Sequence, residues 1–374
     1  MTASSLPRLQ VAESGLPADS ADWRWQLREA LTTADQLNAS LELTQDEYLA
    51  AKHAEEQGFP ISITPYYRGL IQSADPACPI RRQVVPTLGE QFTSPSDLRD
   101  PLGEEAHQVA PELVQRYPDR ALLLATDRCS VYCRFCTRSR LVGQGGGVRS
   151  ADKLAPALEY LRAHPAIRDV IVSGGDPLVM ATSKLASLLE RLRAIESIET
   201  IRLATRVPVT LPQRIQPELL SALRPFHPLW VMTHFNHPRE LTEESRAACV
   251  ALADAGFPVM NQTVLLAGVN DDAETLTALF RGLVRVRVRP YYLLQMDPVR
   301  GTSHLRTPLR VGEEIMRQLT GRLSGIALPK FIVDTPGGFG KVPAGPSFVV
   351  ERGEGYTRFQ SPRGNLVDYF DPAV

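Results

Sequence analysis

Short apolar runs alternate with amphipathic stretches along the chain after Tyr117. Seven of the runs have the length and composition of buried strands, and they occupy 121–127, 168–174, 200–206, 229–235, 258–266, 289–295 and 330–335. Six stretches between them place apolar residues at helical spacing, at 154–164, 183–195, 216–226, 242–256, 273–284 and 312–323. A unit of about 30 residues is typical of parallel strands joined by crossover helices. The pattern predicts an α/β fold with a barrel or partial barrel.

The chain before this repeat has a different pattern. Residues 1–112 predict a helical and irregular region, with helices in 21–41 and 43–57, the second of which has Thr44 as its candidate cap. The segment 93–113 is rich in turn residues and is expected to cross the surface to the next unit. We expect three units: this N-terminal region, a core barrel at 113–328, and a C-terminal segment and tail at 329–374.

Composition narrows the class of protein. The chain has 374 residues, a net charge of −1 and 43% hydrophobic residues, which suffices for one large core. The near-zero net charge gives no indication that the protein binds nucleic acid or an anionic membrane surface. No apolar run reaches the roughly 18 residues of a membrane span, and the first 17 residues lack a basic start followed by an apolar stretch. We expect a cytoplasmic protein.

Polar residues follow the predicted strands where each one ends. In a barrel of this kind the functional site lies at the carboxyl ends of the strands. These positions hold a cysteine cluster, the segments "SGGDP" (173–177) and "TRVP" (205–208), and the residues His234, Asn236, Gln262 and Asp297. The segment from Asp334 to Lys341 follows the last strand. The polar groups of every strand are therefore expected to converge on one face.

The cysteine cluster is the most specific chemical signal. Cys129, Cys133 and Cys136 have the spacing C-x3-C-x2-C, and the chain has five cysteines in all, so a disulfide framework is improbable. Three thiolates leave a metal centre one ligand short. A zinc knuckle completed by a distant histidine or a set of free thiols remains possible on spacing alone. Placement after the first barrel strand favours a [4Fe–4S] cluster with one open iron.

The spacing and placement of these cysteines resemble those of the radical S-adenosylmethionine enzymes. In that family the open iron binds S-adenosylmethionine, which is cleaved to a 5′-deoxyadenosyl radical. A glycine-rich segment after the second strand contacts its methionine part. Ser173, Gly174, Gly175 and Asp176 match that segment. The resemblance implies the cluster and S-adenosylmethionine as cofactors.

The segment "DTPGGFGKVP" (334–343) raises a separate question. Glycines before a lysine suggest a phosphate loop, but Thr335 stands where that motif needs its first glycine and Val342 where it needs a hydroxyl. A lysine that forms a Schiff base must be able to swing away when a substrate amine replaces it, and glycines give that freedom. Arg116 and Arg120, just before the first strand, are suited to bind a cofactor phosphate.

Ten segments together are similar to the lysine 2,3-aminomutase family, a branch that also uses pyridoxal 5′-phosphate. They are "DWRWQ", "ITPYY", "RYPDRALLL", "CSVYCRFCTRSR", "SGGDPL", "LPQRI", "THFNHPRE", "NQTVLLAGVND", "RVRPYYLLQMD" and "DTPGGFGKVP", and they extend from Asp22 to Pro343.

The resemblance implies a role for each matched residue. Lys341 corresponds to the lysine that holds pyridoxal phosphate as an aldimine, and Arg116, Tyr117 and Arg120 to the phosphate site. Arg138 corresponds to the arginine that pairs with the substrate carboxylate, and His234 and Gln262 to residues near S-adenosylmethionine. Asp297 and Asp334 correspond to the pair that binds the distal ammonium of the substrate, since a charge removed from water requires such partners.

The implied activity is an isomerisation of L-lysine to β-lysine by 2,3-migration of the α-amino group, through the aldimine and the deoxyadenosyl radical. An external electron donor such as flavodoxin or ferredoxin and a homo-oligomeric state are expected. The chain lacks cysteines after Cys249, so the intersubunit zinc site of some family members is expected to be absent.

Three alternatives remain open. One is the branch that makes β-lysine for elongation factor P, and a second is an arginine 2,3-aminomutase, whereas glutamate is disfavoured because two aspartates would repel its side chain. The third is a non-enzymatic iron–sulfur or zinc-binding module, against which the intact set of site residues argues.

Overall fold

A computed structural model describes residues 18–372. The N-terminal stretch on which the prediction of no signal peptide rests lies outside the described residues. The helices are α1 Trp23–Arg28, α2 Ala34–Ser40, α3 Gln45–Glu56, α4 Pro65–Gly69, α5 Ala151–Ala163, α6 Thr182–Arg193, α7 Val207–Thr210, α8 Pro217–Leu223, α9 Glu243–Asp254, α10 Ala273–Arg285 and α11 Leu309–Leu319. The strands are β1 Gln108–Ala110, β2 Leu113–Tyr117, β3 Arg120–Thr126, β4 Asp169–Gly174, β5 Thr200–Ala204, β6 Leu229–Thr233, β7 Val259–Leu265, β8 Val288–Gln295, β9 Lys330–Thr335, β10 Gly340–Pro343, β11 Val349–Gly353, β12 Tyr356–Gln360 and β13 Leu366–Phe370.

The predicted β/α repeat is present. Strands β3 to β9 are consecutive neighbours in one sheet and pair in parallel, and helices separate them along the chain. Each predicted strand overlaps an observed one, because buried parallel strands are recognisable as apolar runs. The helices place an apolar stripe on the sheet; on α10, for example, Leu276, Leu279 and Leu283 are buried. The α/β prediction is confirmed.

Three further strands extend the sheet with antiparallel pairs. β1 and β2 add to the edge at β3, and β10 adds to the edge at β9, which gives a ten-stranded sheet. Arg116 and Tyr117 precede the first predicted strand, as expected, but they lie on a strand of their own that the apolar pattern did not predict. This strand is β2, where Leu113 and Val114 are buried and Arg116 and Tyr117 line the interior cavity.

The two edges of this sheet come within hydrogen-bond reach of each other. The backbone N–H of Lys341 on β10 donates to the hydroxyl of Tyr117 on β2 at 2.9 Å. Arg116 on β2 also pairs with Asp334 on β9. Within the described residues β1 and β10 do not pair with each other, so the sheet is a curled, open partial barrel.

The N-terminal helices pack over this sheet and join its hydrophobic core. The predicted cap of α3 is confirmed, since Thr44 and Glu47 form a reciprocal capping box. The main sheet continues through 328 into the β9–β10 hairpin, and β11 to β13 form a separate three-stranded sheet. The division into three units therefore stays a prediction. No helix between residues 18 and 372 is long and apolar enough to cross a membrane.

Candidate active site

One cavity of about 600 Å³ lies inside the partial barrel. The strand-end residue Asn236 does not line it, whereas all the residues to which the family resemblance assigned a role do. They are Cys129, Cys133, Cys136, Arg138, Arg116, Tyr117, Arg120, Ser173, Gly174, Gly175, Asp176, His234, Gln262, Asp297, Asp334 and Lys341. The cysteines lie at one end of the cavity, and the β9–β10 hairpin, which carries Lys341, lies at the other.

The glycine-rich segment after β4 holds the cysteine loop in place. The backbone N–H of Gly175 donates to the carbonyl of Thr126 at 2.6 Å, and that of Asp176 donates to the carbonyl of Arg128 at 2.8 Å. A Cβ on Gly174 would lie 2.2 Å from the oxygen of Thr126. These glycines therefore allow a close backbone approach that fixes the loop carrying the thiols.

Burial determines the protonation of the thiols. It raises the pKa of Cys129 well above its ordinary value and that of Cys136 to about 11, since a thiolate loses hydration there. A bound cation would offset that cost. Among residues 18–372, no three His, Cys, Asp or Glu side chains are arranged around a single ion position. Cysteines of an iron–sulfur cluster each bind a different iron and need not surround a single ion position.

The carboxylate of Asp176 is engaged by protein groups. It accepts hydrogen bonds from the hydroxyl of Thr205 at 2.7 Å and the backbone N–H of Arg206 at 2.6 Å, and it caps the turn at Leu178. Burial raises the pKa of Asp176. Asp176 therefore ties the loop after β4 to the loop after β5, next to the cysteines.

His234 lies beside the cysteine loop, and Gln262 lines the same cavity. His234 Nε2 is 3.1 Å from Oδ1 of Asn236, and its ring lies 5.5 Å from that of Phe135 on the cysteine loop. Burial and the nearby Arg206 lower the pKa of His234 to about 3, so the imidazole is neutral. A neutral histidine and an amide offer both donors and acceptors to a polar ligand.

Lys341 and Asp334 form the centre of the opposite end. They are directly opposed across the β9–β10 hairpin, and the Lys341 ammonium pairs with the Asp334 carboxylate, which Arg116 also binds. Gly337 and Gly338 have φ values of 87° and 85° and form the turn. A Cβ on Gly338 would meet His107 at 2.7 Å, so these glycines shape a packed turn rather than a loose hinge.

The two aspartates of the proposed clamp have opposite pKa shifts. Burial and the neighbouring Asp334 raise the pKa of Asp297 to about 7. Burial alone would raise the pKa of Asp334 too, but the hydrogen bonds from Arg116 and Lys341 bring it below its ordinary value. A cation placed between the carboxylates would keep both ionised.

Arg138 is oriented by a residue that the sequence did not nominate. Nε of Arg138 donates to Oε1 of Glu104 at 2.8 Å, and Arg140 binds the other carboxylate oxygen at 3.2 Å. Glu104 is only 3% exposed. It lies in the turn-rich segment that was expected to cross the surface, and that expectation was wrong at this point. Gly103 explains the difference, because it packs against the backbone of Gly337 and turns the segment inward.

Arg120 and Tyr117 form one corner of the lysine end. The Arg120 guanidinium lies 3.7 Å from the centroid of the Tyr117 ring, which holds it by a cation–π contact. Tyr291 and Tyr292 stack at 3.7 Å between ring centroids and also line the cavity. Both tyrosines belong to the segment "RVRPYYLLQMD" that resembles the family, but the resemblance gave no role for them. Neighbouring side chains of a regular strand point to opposite faces, but the register of β7 and β8 shifts at Tyr291, and a sequence does not show such a bulge.

The donor sets fit the predicted cofactors. Arg116 and Arg120 present guanidinium groups beside Lys341 on one wall of the cavity, which suits a phosphate next to an amine-bound ring. At the other end three partly buried thiols share a wall with the neutral His234, which suits an iron–sulfur cluster beside a polar organic ligand.

Comparison with known proteins agrees with this geometry. Residues 123–279 match the family model described as the radical SAM superfamily, and residues 316–373 match the model described as lysine-2,3-aminomutase. The L-lysine 2,3-aminomutase of Acetoanaerobium sticklandii is 45% identical over 95% of this chain and 85% of its own length. That of Clostridium subterminale is 44% identical over 98% of this chain and 88% of its own length. The chain belongs to the lysine 2,3-aminomutase family.

Family membership confirms the prediction of a radical isomerase that uses a [4Fe–4S] cluster, S-adenosylmethionine and pyridoxal phosphate. The relatives of this chain are named for different substrates. The glutamate 2,3-aminomutase of Clostridioides difficile is 40% identical over 96% of this chain and 85% of its own length. Substrate choice must therefore be argued from the cavity of this aminomutase.

Proposed function

We propose that this protein converts L-lysine to β-lysine. The observation that carries the proposal is the pair Asp297 and Asp334 in the same cavity as Lys341. The distal ammonium of lysine is a cation that must leave water, and two buried carboxylates offset that cost. The substrate carboxylate is bound by Arg138, which Glu104 orients.

Each remaining wall residue has a role in this proposal. Arg116, Tyr117 and Arg120 hold the phosphate of pyridoxal phosphate, and Lys341 is its covalent attachment. Cys129, Cys133 and Cys136 bind the cluster. S-adenosylmethionine lies against the backbone from Ser173 to Asp176, and against His234 and Gln262.

When bound, the cluster and S-adenosylmethionine would supply radical chemistry, and pyridoxal phosphate would supply a ring suited to carry the migrating nitrogen. The protein supplies position and charge. Arg138 and the aspartates hold the two ends of the substrate, so the carbon between them faces the cysteine end of the cavity. Asp334 also holds the Lys341 ammonium, and its carboxylate is the nearest proton acceptor when that amine enters the reaction. The curled sheet surrounds the reacting atoms and limits water.

Glutamate is the second candidate, because a relative of that name is similar over nearly the whole chain. Its side-chain carboxylate would face Asp297 and Asp334, and like charges in a buried site disfavour binding. Arginine, a longer cation, fits the same charge pattern. We further propose cytoplasmic operation, a one-electron protein donor and a homo-oligomer.

The test uses anaerobically reconstituted protein with S-adenosylmethionine, pyridoxal phosphate and dithionite. L-lysine, L-arginine and L-glutamate are supplied separately, and products are identified by chromatography and mass spectrometry. We expect β-lysine from lysine and no product from glutamate. Turnover of arginine or glutamate without turnover of lysine would overturn the assignment.

A further inference from the structure

A buried arginine touches one of the three clustered cysteines. Nη1 of Arg206 lies 2.7 Å from Sγ of Cys133, and the Arg206 side chain is 9% exposed. Arg206 follows β5, and its own backbone N–H is held by Asp176. Within the described residues, the side-chain hydrogen bonds place no charged donor on Cys129 or Cys136, so this contact distinguishes Cys133 from the other two.

The guanidinium is held on every side. Nε donates to the carbonyl of His234 at 3.3 Å, and Nη2 donates to Oε1 of Gln83 at 2.6 Å and to the hydroxyl of Tyr67 at 3.1 Å. Its carboxylate partner is Glu240, at 2.7 Å. Nε and Nη2 of the planar guanidinium are both hydrogen-bonded, so the Nη1 N–H that faces Cys133 is held in place.

Glu240 is itself fixed. It is fully buried, and its second oxygen accepts the backbone N–H groups of Asn236 at 2.6 Å and His237 at 3.0 Å. Tyr67 donates to the same oxygen as Arg206, at 2.8 Å. The carboxylate therefore stays near the guanidinium and partly neutralises it. Arg206 and Glu240 form a fixed charge pair beside the cysteine.

We infer that Arg206 is a positioning residue that sets the reduction potential of the cluster through Cys133, with Glu240 moderating its charge. The inference rests on the proposed function, since it requires the cluster. Reduction adds one electron from an external one-electron donor to the cluster, and no bond forms or breaks in that step. A hydrogen bond and a positive charge at a cluster sulfur favour the more negative, reduced form.

A purely structural role makes a different prediction. Arg206 joins the loops after β3, β5 and β6 to the N-terminal region, and a buried pair of this kind often only fixes local packing. Loss of packing would alter cluster content or stability, but it gives no reason for opposite shifts of the potential on removal of the positive and the negative partner. The sign of the shift therefore separates the two roles.

The experiment is a redox titration of the reconstituted protein with dithionite, followed by the electron paramagnetic resonance signal of the reduced cluster, without substrate or pyridoxal phosphate. Arg206→Gln should shift the midpoint to a more negative potential, and Arg206→Lys should shift it less. Glu240→Gln should shift it to a more positive potential. Arg214→Gln is the matched control, since Arg214 is buried and hydrogen-bonds Leu178 and Met180 but does not line the cavity. It should leave the midpoint unchanged.

Each outcome of the titration either supports or overturns the role inferred for Arg206. An unchanged midpoint in Arg206→Gln, or shifts of the same sign in Arg206→Gln and Glu240→Gln, overturns the inference and leaves the proposed function standing. If Arg206→Gln does not fold, Arg206→Lys and Glu240→Gln carry the test by the sign of their shifts. A parent protein that takes up no cluster would instead overturn the proposed function.

Discussion

The two ends of the cavity are built in different ways. The cysteine end lies on one loop, fixed by backbone hydrogen bonds from Gly175 and Asp176. The lysine end joins the two edges of the sheet through the side chains of Arg116, Tyr117 and Asp334. The first is a local, rigid unit, and the second depends on closure of the partial barrel. The difference indicates that the cluster site and the lysine site can fail independently.

Lys341→Ala should disable the lysine end of the cavity and leave the cysteine end intact. Loss of the group that attaches the cofactor should reduce turnover by about 10⁴-fold, as for other residues that act directly in catalysis. The iron content and the resonance signal of the cluster should be unchanged, because Lys341 has no contact with the cysteine loop. The measurements are the rate of β-lysine formation, iron per chain and the spectrum.

Lys330→Ala is the control for this prediction. Lys330 begins β9, the strand that pairs with the Lys341 strand β10, and it is exposed and does not line the cavity. Its replacement should preserve turnover. Loss of the cluster in Lys341→Ala would contradict the independence of the two ends.

Gly174→Ala should damage the cysteine end alone. The added Cβ would lie 2.2 Å from the oxygen of Thr126, the last residue of β3 before the cysteine loop, at a φ of 105°. Overpacking of this kind costs about 1–3 kcal/mol of unfolding free energy, and a displaced loop should lower activity by about 10²-fold. Iron per chain should fall, whereas borohydride should still fix pyridoxal phosphate to Lys341.

The control is Gly69→Ala, since a Cβ at Gly69 meets nothing within 4 Å. It should leave both the iron content and the unfolding midpoint unchanged. Full cluster content in Gly174→Ala would mean that the loop does not depend on this close approach.

Asp297 should make the lysine end sensitive to pH. The pKa of Asp297 is raised to about 7, whereas the distal ammonium of lysine stays charged until about pH 10. Below pH 7 the Asp297 carboxyl is neutral and attracts the ammonium less, so kcat/KM should fall as the pH falls through about 7. The measurement is the pH profile of kcat/KM for lysine.

Asp297→Asn removes the titrating group and should lower kcat/KM by about 10- to 100-fold at pH 8, the cost of a lost charged hydrogen bond. That variant should also lose the inflection near pH 7. An inflection that persists in Asp297→Asn would assign it to another group.

The sequence predicted the cysteine end better than the lysine end for a physical reason. Parallel strands are buried apolar runs, and the motif after each is contiguous, so the cysteine spacing and "SGGDP" were recognisable from local sequence. Pairing across the sheet is a long-range property. The opposition of Lys341 and Asp334 follows from the register of a hairpin, and the contact of Arg116 with Asp334 follows from curling of the sheet.

Glu104 and Arg206 also make long-range contacts that the local sequence does not predict. Arg206 stood in the quoted "TRVP" segment at a strand end, so the strand-end rule pointed to it, but its contact with Cys133 joins positions 73 residues apart. Glu104 had no such signal, because its segment reads as a surface connection. Buried partners of this kind become visible only once the packing is known.

Glu104→Gln tests the part of the substrate site that is least visible in the sequence. Glu104 holds Arg138 at 2.8 Å, and the amide keeps one oxygen but loses the charge that aligns the guanidinium. We expect KM for lysine to rise about 3- to 10-fold, since one charged hydrogen bond is weakened rather than removed. The cluster signal should not change.

Glu105→Gln is the matched control for Glu104→Gln. Glu105 is the adjacent carboxylate and binds Arg140 at 3.2 Å, but its side chain is 52% exposed and does not contact Arg138. An exposed ion pair contributes little, about 0–1 kcal/mol, so its loss should leave KM within error of the parent. An equal rise in both variants would show that overall charge near the cavity mouth, and not the alignment of Arg138, determines substrate binding. A rise confined to Glu104→Gln would extend the substrate site into the N-terminal region.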